Sequence, residues 1–241
     1  MILDFTLQET EKHFDCEFEE DRSELSMELE EMHIVTKEVG RELLKQLVTD
    51  NLLAFEDDTI TAIKEYAFYK STKLQTLRLP KLAAVPVSLC NGASGLETVD
   101  LPNATGRMGN SAFQKCTKLK TLNIPNITGF VNYAVAGCTE LETLDLSPNF
   151  YAFGGGAACN GCTKLVALIL RRTSSIVTLG NKNNFVNTPI ESGTGYVYAP
   201  RDLLSKYQSA TNWSTYPTQF RPLEDYTVDG TTTGAFDYTK I

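Results

Sequence analysis

The residues of this chain with the types and spacing for chemistry are a Cys-x-x-Cys pair, two histidines, two adjacent aspartates and a triple glycine. Cys159 and Cys162 have a spacing that is typical of zinc-binding or redox pairs. A zinc site would need two further ligands, and His13 and His33 are far away in the sequence. Metal binding or bridging is therefore the weaker alternative to a structural role, and no metal is predicted.

The other chemical candidates point to structural roles as well. Asp57 and Asp58 could bind calcium, but their place before the first repeat favours a solvated loop. Gly154–Gly156 is not followed by the Gly-Lys-Ser/Thr of a phosphate-binding loop, so a turn between repeats is favoured. Acid–base catalysis at neutral pH usually recruits histidine, and both histidines lie in an acidic N-terminal segment. The sequence therefore predicts no enzyme and no cofactor.

The charge of the chain is concentrated at one end. Residues 1–40 contain thirteen Asp and Glu against three Lys and Arg, whereas the formal net charge of the whole chain is −8. The remainder, at +2, has no excess of basic residues for binding phosphates, which argues against a nucleic-acid partner. No run of about twenty apolar residues predicts membrane insertion, and the start lacks the order of a secretory signal. We therefore expect synthesis and folding in a cytoplasm.

The elements that position these residues are set by an internal repeat. Five segments align on leucine anchors spaced by 22 to 24 residues, namely Leu74, Leu96, Leu119, Leu141 and Leu165. Each anchor starts an L-x-x-L-x-L pattern that predicts a short strand. A single unit is too small to bury its apolar face, so neighbouring units must stack their strands into a parallel sheet around a continuous core.

A column of small residues lies three positions before the anchors. It consists of Ser71, Ala93, Cys116, Cys138 and Cys162. Cys159 occupies the column that holds Phe68 in the first repeat. Because the cysteines follow the repeat, we predict that they act as small buried hydrophobic residues.

An Ala-Phe pair, a Cys-Thr-Lys-Leu turn and a Thr-Leu-x-Ile/Leu-Pro strand end recur over residues 57–190. This combination resembles the BspA-like leucine-rich repeats. The resemblance implies an α/β repeat fold, a leucine-rich-repeat solenoid with a parallel sheet of short strands. The repeats lack the recurrent Asn or Cys that commoner leucine-rich repeats have three residues after the L-x-L pair, so we expect no asparagine ladder.

Both ends of the solenoid are expected to be capped. Residues 37–56 carry apolar residues at helical spacing, which predicts an N-terminal capping helix and linker. A C-terminal cap is predicted over residues 191–226. The segment from Asn184 to Leu223 resembles the closing unit of BspA-like proteins encoded by prophages of Gram-positive bacteria. There, Tyr196–Tyr198 predicts a final strand, a short helix is expected from about Asp202 to Ala210, and Trp213 is expected to cover the end of the core.

Two terminal segments differ from the repeats. Residues 1–36 alternate apolar and acidic residues and resemble the N-terminal segments of prophage-encoded virion proteins, which implies an attachment arm. The residues that carry this resemblance are Phe5, Glu9, Thr10, Phe14, Asp15 and Phe18. Within the arm, Phe5, Phe14 and Phe18 are the candidate attachment residues. Residues 227–241 are rich in Gly and Thr, which predicts a loosely ordered tail.

Side chains two and four residues after each anchor are expected to point away from the core. The candidate binding surface consists of Arg78, Asp100, Asn123, Asp145 and Ile169. A solvated sheet surface without a ligand is the alternative. The last repeat has an apolar row of Val166, Ala167 and Ile169, which implies cover by the C-terminal cap or by another subunit.

The three resemblances together favour a non-enzymatic virion protein of a phage or prophage, from the tail or baseplate region. Its expected partners are other virion proteins through the arm, and a host-surface protein or glycan through the solenoid, with a homo-oligomer as a further possibility. The alternative is a BspA-like adhesin on a bacterial cell surface. The lack of an export signal at the start of the chain favours the virion.

Overall fold

The computed structural model describes residues 53–241 and the short strand β1 (Glu38–Val39). In this part of the chain each repeat makes one circuit of a solenoid. A circuit contains a strand after the leucine anchor, a corner, usually a second strand, and a tight turn that leads back to the next anchor. The strands of successive circuits pair in parallel and form two layers, which we call the first and the second sheet.

The first sheet contains the strands that follow the anchors. They are β2 (Ala54–Glu56), β4 (Thr76–Arg78), β5 (Thr98–Asp100), β7 (Thr121–Asn123), β9 (Thr143–Leu146), β11 (Ala167–Leu170), β13 (Tyr196–Ala199) and β14 (Phe220–Pro222). Their order follows the sequence, and the register is that of the repeat, with Thr98 opposite Thr76 and Thr121. The predicted parallel sheet of short strands is thus confirmed.

The first sheet is interrupted between β7 and β9. These two described strands share no backbone pairing, although the strands on either side pair in full register. Leu122, in the middle of β7, is consequently partly exposed, whereas the equivalent Leu77 and Val99 are fully buried. The turns of these two circuits remain joined, since the N–H of Phe113 donates to the carbonyl of Ala134 at 2.9 Å.

The second sheet lies one corner further along each circuit. Its strands are β1, β3 (Ala62–Ile63), β6 (Gly106–Met108), β8 (Ile127–Phe130), β10 (Ala152–Phe153) and β12 (Thr178–Leu179). β6, β8, β10 and β12 form a continuous parallel run, and β1 pairs with β3. The circuit between β3 and β6 contains Pro86, which has no N–H to donate, and no strand forms there. The N–H of Gly109 still reaches the carbonyl of Val85 at 2.9 Å.

The corner between the sheets carries a short asparagine ladder, which corrects our expectation that none would form. Nδ2 of Asn103 donates to the carbonyl of Pro80 at 2.6 Å, and Nδ2 of Asn126 donates to that of Pro102 at 2.7 Å. Both asparagines lie one position before the column in which commoner repeats place the ladder. The physical reason is the same, because a corner leaves backbone carbonyls that need donors.

Each turn back to the first sheet passes through residues with left-handed backbone geometry. Four positions before the anchor, φ is 57° at Lys70, 78° at Gly92, 60° at Lys115, 75° at Gly137 and 74° at Gly161. A second left-handed residue lies four positions earlier in each circuit. This geometry costs an L-residue roughly 1–2 kcal/mol, which explains the recurrence of glycine in the column.

The core fills the space between the sheets and the turns. The five leucine anchors have no exposed surface. Phe130, Phe150 and Phe153 pack together with ring centroids 5.0–5.7 Å apart, and Phe185 continues this cluster toward the C-terminus. Each buried Leu or Phe side chain contributes about 1.5–3 kcal/mol, so the stacked columns supply most of the stabilisation.

An added unit closes the C-terminal end of the core. It contains α1 (Pro189–Ser192), β13, a 3-10 turn (Arg201–Leu203), α2 (Leu204–Ser209), a second 3-10 turn (Trp213–Thr215) and β14. Trp213 is fully buried, and its Nε1 donates to the carbonyl of Val177 at 2.7 Å. The hydroxyl of Tyr207 accepts a hydrogen bond from the N–H of Val177 at 2.8 Å. Because β14 pairs with β13, Tyr196–Ala199 is not the final strand that the sequence predicted.

The C-terminal tail is folded onto the first sheet, contrary to the expectation of a loosely ordered segment. After a 3-10 turn (Leu223–Tyr226), Thr227 forms an antiparallel bridge with Phe236, and a last 3-10 turn spans Tyr238–Lys240. The Phe236 ring packs edge-on against Tyr198 at 4.9 Å. The Gly and Thr residues suggested disorder, but they build a tight hairpin whose loop is closed by side-chain hydrogen bonds.

At the N-terminal end, the described residues of the capping helix and linker predicted over residues 37–56 form strands. Glu38–Val39 is a strand that pairs in parallel with the edge strand Ala62–Ile63. Ala54–Glu56 is already the first strand of the first sheet. Residues 40–52 and the attachment arm, with Phe5, Phe14 and Phe18, lie outside the described residues.

Candidate binding surfaces

The outer face of the first sheet carries a connected polar row. Nε of Arg78 donates to Oδ2 of Asp100 at 3.1 Å, and Nδ2 of Asn123 donates to Oδ1 of the same carboxylate at 2.6 Å. Asp100 therefore joins three neighbouring repeats. The Arg78 side chain is 49% exposed and that of Asp100 26% exposed, so the row is held in place and faces solvent.

Asp145 belongs to a different group from the other three polar candidates. It lies beyond the interruption of the first sheet, and its carboxylate is bound by the guanidinium of Arg171. Arg171 also donates to the carbonyls of Thr232 and Gly234 in the tail. The sequence analysis missed Arg171 because it comes six residues after its anchor, outside the columns that mark the outward row.

Ile169 is not part of an exposed binding surface, which corrects its place among the candidates. Ile169 and Ala167 are fully buried in a small cluster with Tyr198, Leu223 and Phe236. The tail and the 3-10 turn before it supply the last two of these side chains. Two residues of the apolar outward row, Ala167 and Ile169, are thus covered within the same chain, as the first of the two predicted explanations required, whereas Val166 stays 38% exposed.

Charge pairs also link neighbouring repeats beside the anchors. Nζ of Lys120 lies 3.0 Å from a carboxylate oxygen of Glu97, and Nζ of Lys164 lies 2.7 Å from one of Glu140. The hydrogen bond to Glu140 raises the pKa of Lys164. All four side chains are at least 36% exposed, and exposed pairs stabilise a fold by no more than about 1 kcal/mol.

The five cysteines of the described part of the chain are all buried, and three of them form a ladder of thiols. Sγ of Cys116, Cys138 and Cys162 each donates to a backbone carbonyl about one repeat earlier, at 3.1 Å in every case. Burial raises the pKa of Cys162 to about 12 and the pKa of the other four described thiols well above the ordinary value. Cys159 and Cys162 are therefore protonated packing residues at neutral pH, which is the structural role that the repeat columns predict.

The remaining chemical candidates form local backbone structure. Oδ1 of Asp57 accepts the N–H groups of Thr59 and Ile60 at 2.6 and 3.0 Å, an arrangement that closes the loop before the first repeat. Among the described residues no group of three or more His, Cys, Asp and Glu is arranged to hold a metal ion. His13 and His33 lie outside the described part of the chain.

A comparison with protein families gives a match over most of the solenoid. Residues 51–166 and 88–194 match the BspA type leucine rich repeat region, in six copies. The chain belongs to the BspA-type leucine-rich repeat family. Comparison with curated proteins gives no match. None of the helices in the described ranges combines the length and apolar character that crossing a bilayer requires.

Solved structures with some similarity include two bacterial leucine-rich repeat proteins. A leucine rich cell surface protein from Faecalibacterium prausnitzii is 16% identical, with a TM-score of 0.45, and the match covers 70% of this chain and 51% of that one. A leucine-rich repeat protein from Bacteroides ovatus is 13% identical, with a TM-score of 0.33 and coverage of 66% and 63%. The chain thus spans less than two thirds of either protein.

Proposed function

We propose that this BspA-type protein is a non-enzymatic adhesion protein that acts at a bacterial cell surface through the outer face of its first sheet. The observation that carries the proposal is the division of this face. Its C-terminal half is covered by the tail, whereas the half that bears Arg78, Asp100 and Asn123 is open and polar.

The open half suits a partner that is recognised by hydrogen bonds. Asp100 fixes Arg78 and Asn123, and the remaining guanidinium donors and the Asn123 amide oxygen are left to face outward. Thr76, Thr98 and Thr121 add hydroxyl groups from a parallel column on the same strands. Donors and acceptors at the roughly 4.8 Å spacing of strands match a glycan or a polar protein surface of a host.

Binding through this face is tested with the double variant Arg78→Ala/Asn123→Ala. We expect it to lose most of the binding of the full chain to arrays of glycans and host matrix proteins. The control variant Lys206→Ala, on the exposed side of α2, should bind like the unchanged protein. If the double variant binds as well as the unchanged protein and has the same circular dichroism spectrum, the proposal that this face binds the partner is wrong.

A virion protein of a phage or prophage is the second candidate. It is favoured by the arm residues Phe5, Phe14 and Phe18 and by the similarity of residues 184–223 to prophage-encoded closing units. In a virion the arm would bind other virion proteins, and many copies of the solenoid, or a homo-oligomer, would convert weak contacts into avid attachment to a host surface.

The location of the protein distinguishes the two candidates. Cells of the source bacterium and particles induced from it are purified separately, and the protein is quantified in both by mass spectrometry. Recovery with the cell envelope alone supports the cell-surface proposal. Recovery in purified particles, in fixed ratio to known capsid proteins, supports the virion and contradicts the cell-surface location.

A further inference from the structure

A shallow cleft lies on the other side of the solenoid, where strands of the second sheet end. It is lined by Val87, Arg107, Asn110, Val131, Asn132 and Gly155, together with the backbone around them. It is separate from the polar row on the first sheet. Gly155 lines one wall, and it belongs to the triple glycine Gly154–Gly156 that we interpreted from the sequence as a simple turn.

Two of the three glycines leave space that polar side chains occupy. A Cβ on Gly154 would lie 2.6 Å from Nη2 of Arg107, so the guanidinium rests directly against this backbone. A Cβ on Gly155 would lie 2.5 Å from Oδ1 of Asn132, which accepts the N–H of Gly156 at 2.7 Å. The glycines thus allow Arg107 and Asn132 to lie flat along the cleft.

Arg107 stands apart from the arginines that bridge repeats. Arg78 and Arg171 each bind a carboxylate of the preceding or following circuit. Within residues 53–241, the side chain of Arg107 makes no ion pair, and its one hydrogen bond is a long one from Nη2 to the carbonyl of Phe130, at 3.3 Å. None of the described residues that line the cleft is acidic.

The chemistry of this arrangement selects an anion of a particular shape. A guanidinium remains charged at every physiological pH and presents its N–H groups as a planar fork, which matches a carboxylate better than any neutral group. Asn110 and Asn132 line the same cleft: the amide oxygen of Asn132 already accepts the N–H of Gly156, and its NH2 group and the amide of Asn110 supply donors and an acceptor for hydroxyl groups. A ligand that combines a carboxylate with neighbouring hydroxyls fits both features.

We propose that the Arg107 cleft is a second binding site, for an acidic sugar whose carboxylate pairs with Arg107 and whose hydroxyls bind the flanking asparagine amides. Because the cleft and the first-sheet row share no residue, this site does not depend on the proposed adhesion face. One ion pair at an open site gives weak binding, with a dissociation constant on the order of 1 mM for a monosaccharide.

The site is tested by titrating the full ¹⁵N-labelled chain with glucuronate at constant ionic strength, with glucose and acetate as separate probes. We expect saturable shifts of the amides of Gly154 and Gly155 and of Nε of Arg107 with glucuronate, a weaker effect with acetate, and none with glucose. No saturable shift with glucuronate would overturn the site. Equal affinity for acetate and glucuronate would overturn the assignment to a sugar.

Variants test the role of Arg107. Arg107→Gln should weaken glucuronate binding at least tenfold, and Arg107→Lys, which keeps the charge but loses the planar fork, should weaken it by an intermediate factor. Arg201→Gln is the matched control, since it removes an exposed arginine that belongs to neither proposed surface and should leave glucuronate binding unchanged. Unaltered binding by Arg107→Gln would contradict the proposal, and the spectrum itself shows whether each variant is folded.

Discussion

The guanidinium of Arg171 binds the carboxylate of Asp145 through two parallel hydrogen bonds, from Nε to Oδ1 at 2.6 Å and from Nη2 to Oδ2 at 2.8 Å. Its remaining nitrogen, Nη1, donates to the carbonyls of Thr232 and Gly234 at 2.8 and 2.9 Å. Only 12% of the side chain is exposed. One residue thus ties two repeats to the C-terminal tail, and its pKa is raised chiefly by the hydrogen bond to Asp145.

Replacing this arginine should destabilise the protein and release the tail. We expect Arg171→Ala to lower the free energy of unfolding by about 2–3 kcal/mol, because charge-assisted hydrogen bonds in a partly buried site are lost together. Arg201→Ala is the matched control, since Arg201 also pairs with an aspartate but both side chains are more than half exposed. There we expect a loss below about 1 kcal/mol. Urea unfolding measures both, and equal losses would contradict the role of Arg171.

A charge placed beneath the tail should lower the free energy of unfolding more than the loss of Arg171 does. Ile169→Asp places a carboxylate among the apolar side chains of the buried cluster, beside Tyr198 and Phe236. We expect a loss of at least about 3 kcal/mol and rapid proteolysis of residues 227–241. Val166→Asp, on a side chain that is 38% exposed in the same repeat, should leave the tail protected. If both variants resist protease like the unchanged chain, the tail does not cover Ile169.

The thiol ladder predicts a loss of stability at alkaline pH. The folded pKa of Cys162, about 12, lies above the unfolded value of roughly 8.5, so the folded state keeps a proton that the unfolded chain releases. The stabilisation is complete below about pH 8.5 and decreases as the pH rises toward 12, by about 2 kcal/mol per thiol at pH 10. The free energy of unfolding of Cys162→Ala should therefore fall less steeply between pH 7 and 10. Identical slopes would show that this thiol is not protected.

The left-handed turn column predicts a difference between two glycines. At Gly137, where φ is 75°, alanine should lower the free energy of unfolding by about 1 kcal/mol through backbone strain alone, because its Cβ meets no atom closer than 3.6 Å. Gly156→Ala is the control, since its Cβ would meet no atom within 4 Å and its φ lies outside the left-handed region. We expect that variant to unfold like the unchanged chain, or at slightly higher urea.

The repeat could be predicted from the sequence because the buried apolar residues recur once in every circuit. Leu74, Leu96 and the later anchors recur at the length of one circuit, and each must be covered by the next. Cys159 and Cys162 occupy buried positions of the same repeat, which explains why they are packing residues although their spacing is that of a metal pair. The exposed row of Arg78, Asp100 and Asn123 follows from strand alternation alone.

Contacts between distant segments produce no periodic pattern in the sequence, so they could not be predicted from it. The tail covers Ile169 through Phe236, which is 67 residues later in the chain and lies among residues whose composition suggests disorder. Arg171 reaches the tail through backbone carbonyls, which every residue has. The cleft around Arg107 depends on four circuits meeting, and the glycines that shape it look like an ordinary turn in the sequence.

The solenoid does not resist a pulling force equally along its length. At the level of Leu122 the first sheet is interrupted, so only the second sheet and the turns carry a pulling force from one half to the other. Around Pro86 the second sheet lacks a strand and the first sheet carries the force, whereas both sheets share it from β5 to β7 and from β9 to β11. We expect the protein to extend first at this level when it is stretched from its ends, with the thiol ladder and the strands β8 and β10 acting as the tether that keeps the two halves together.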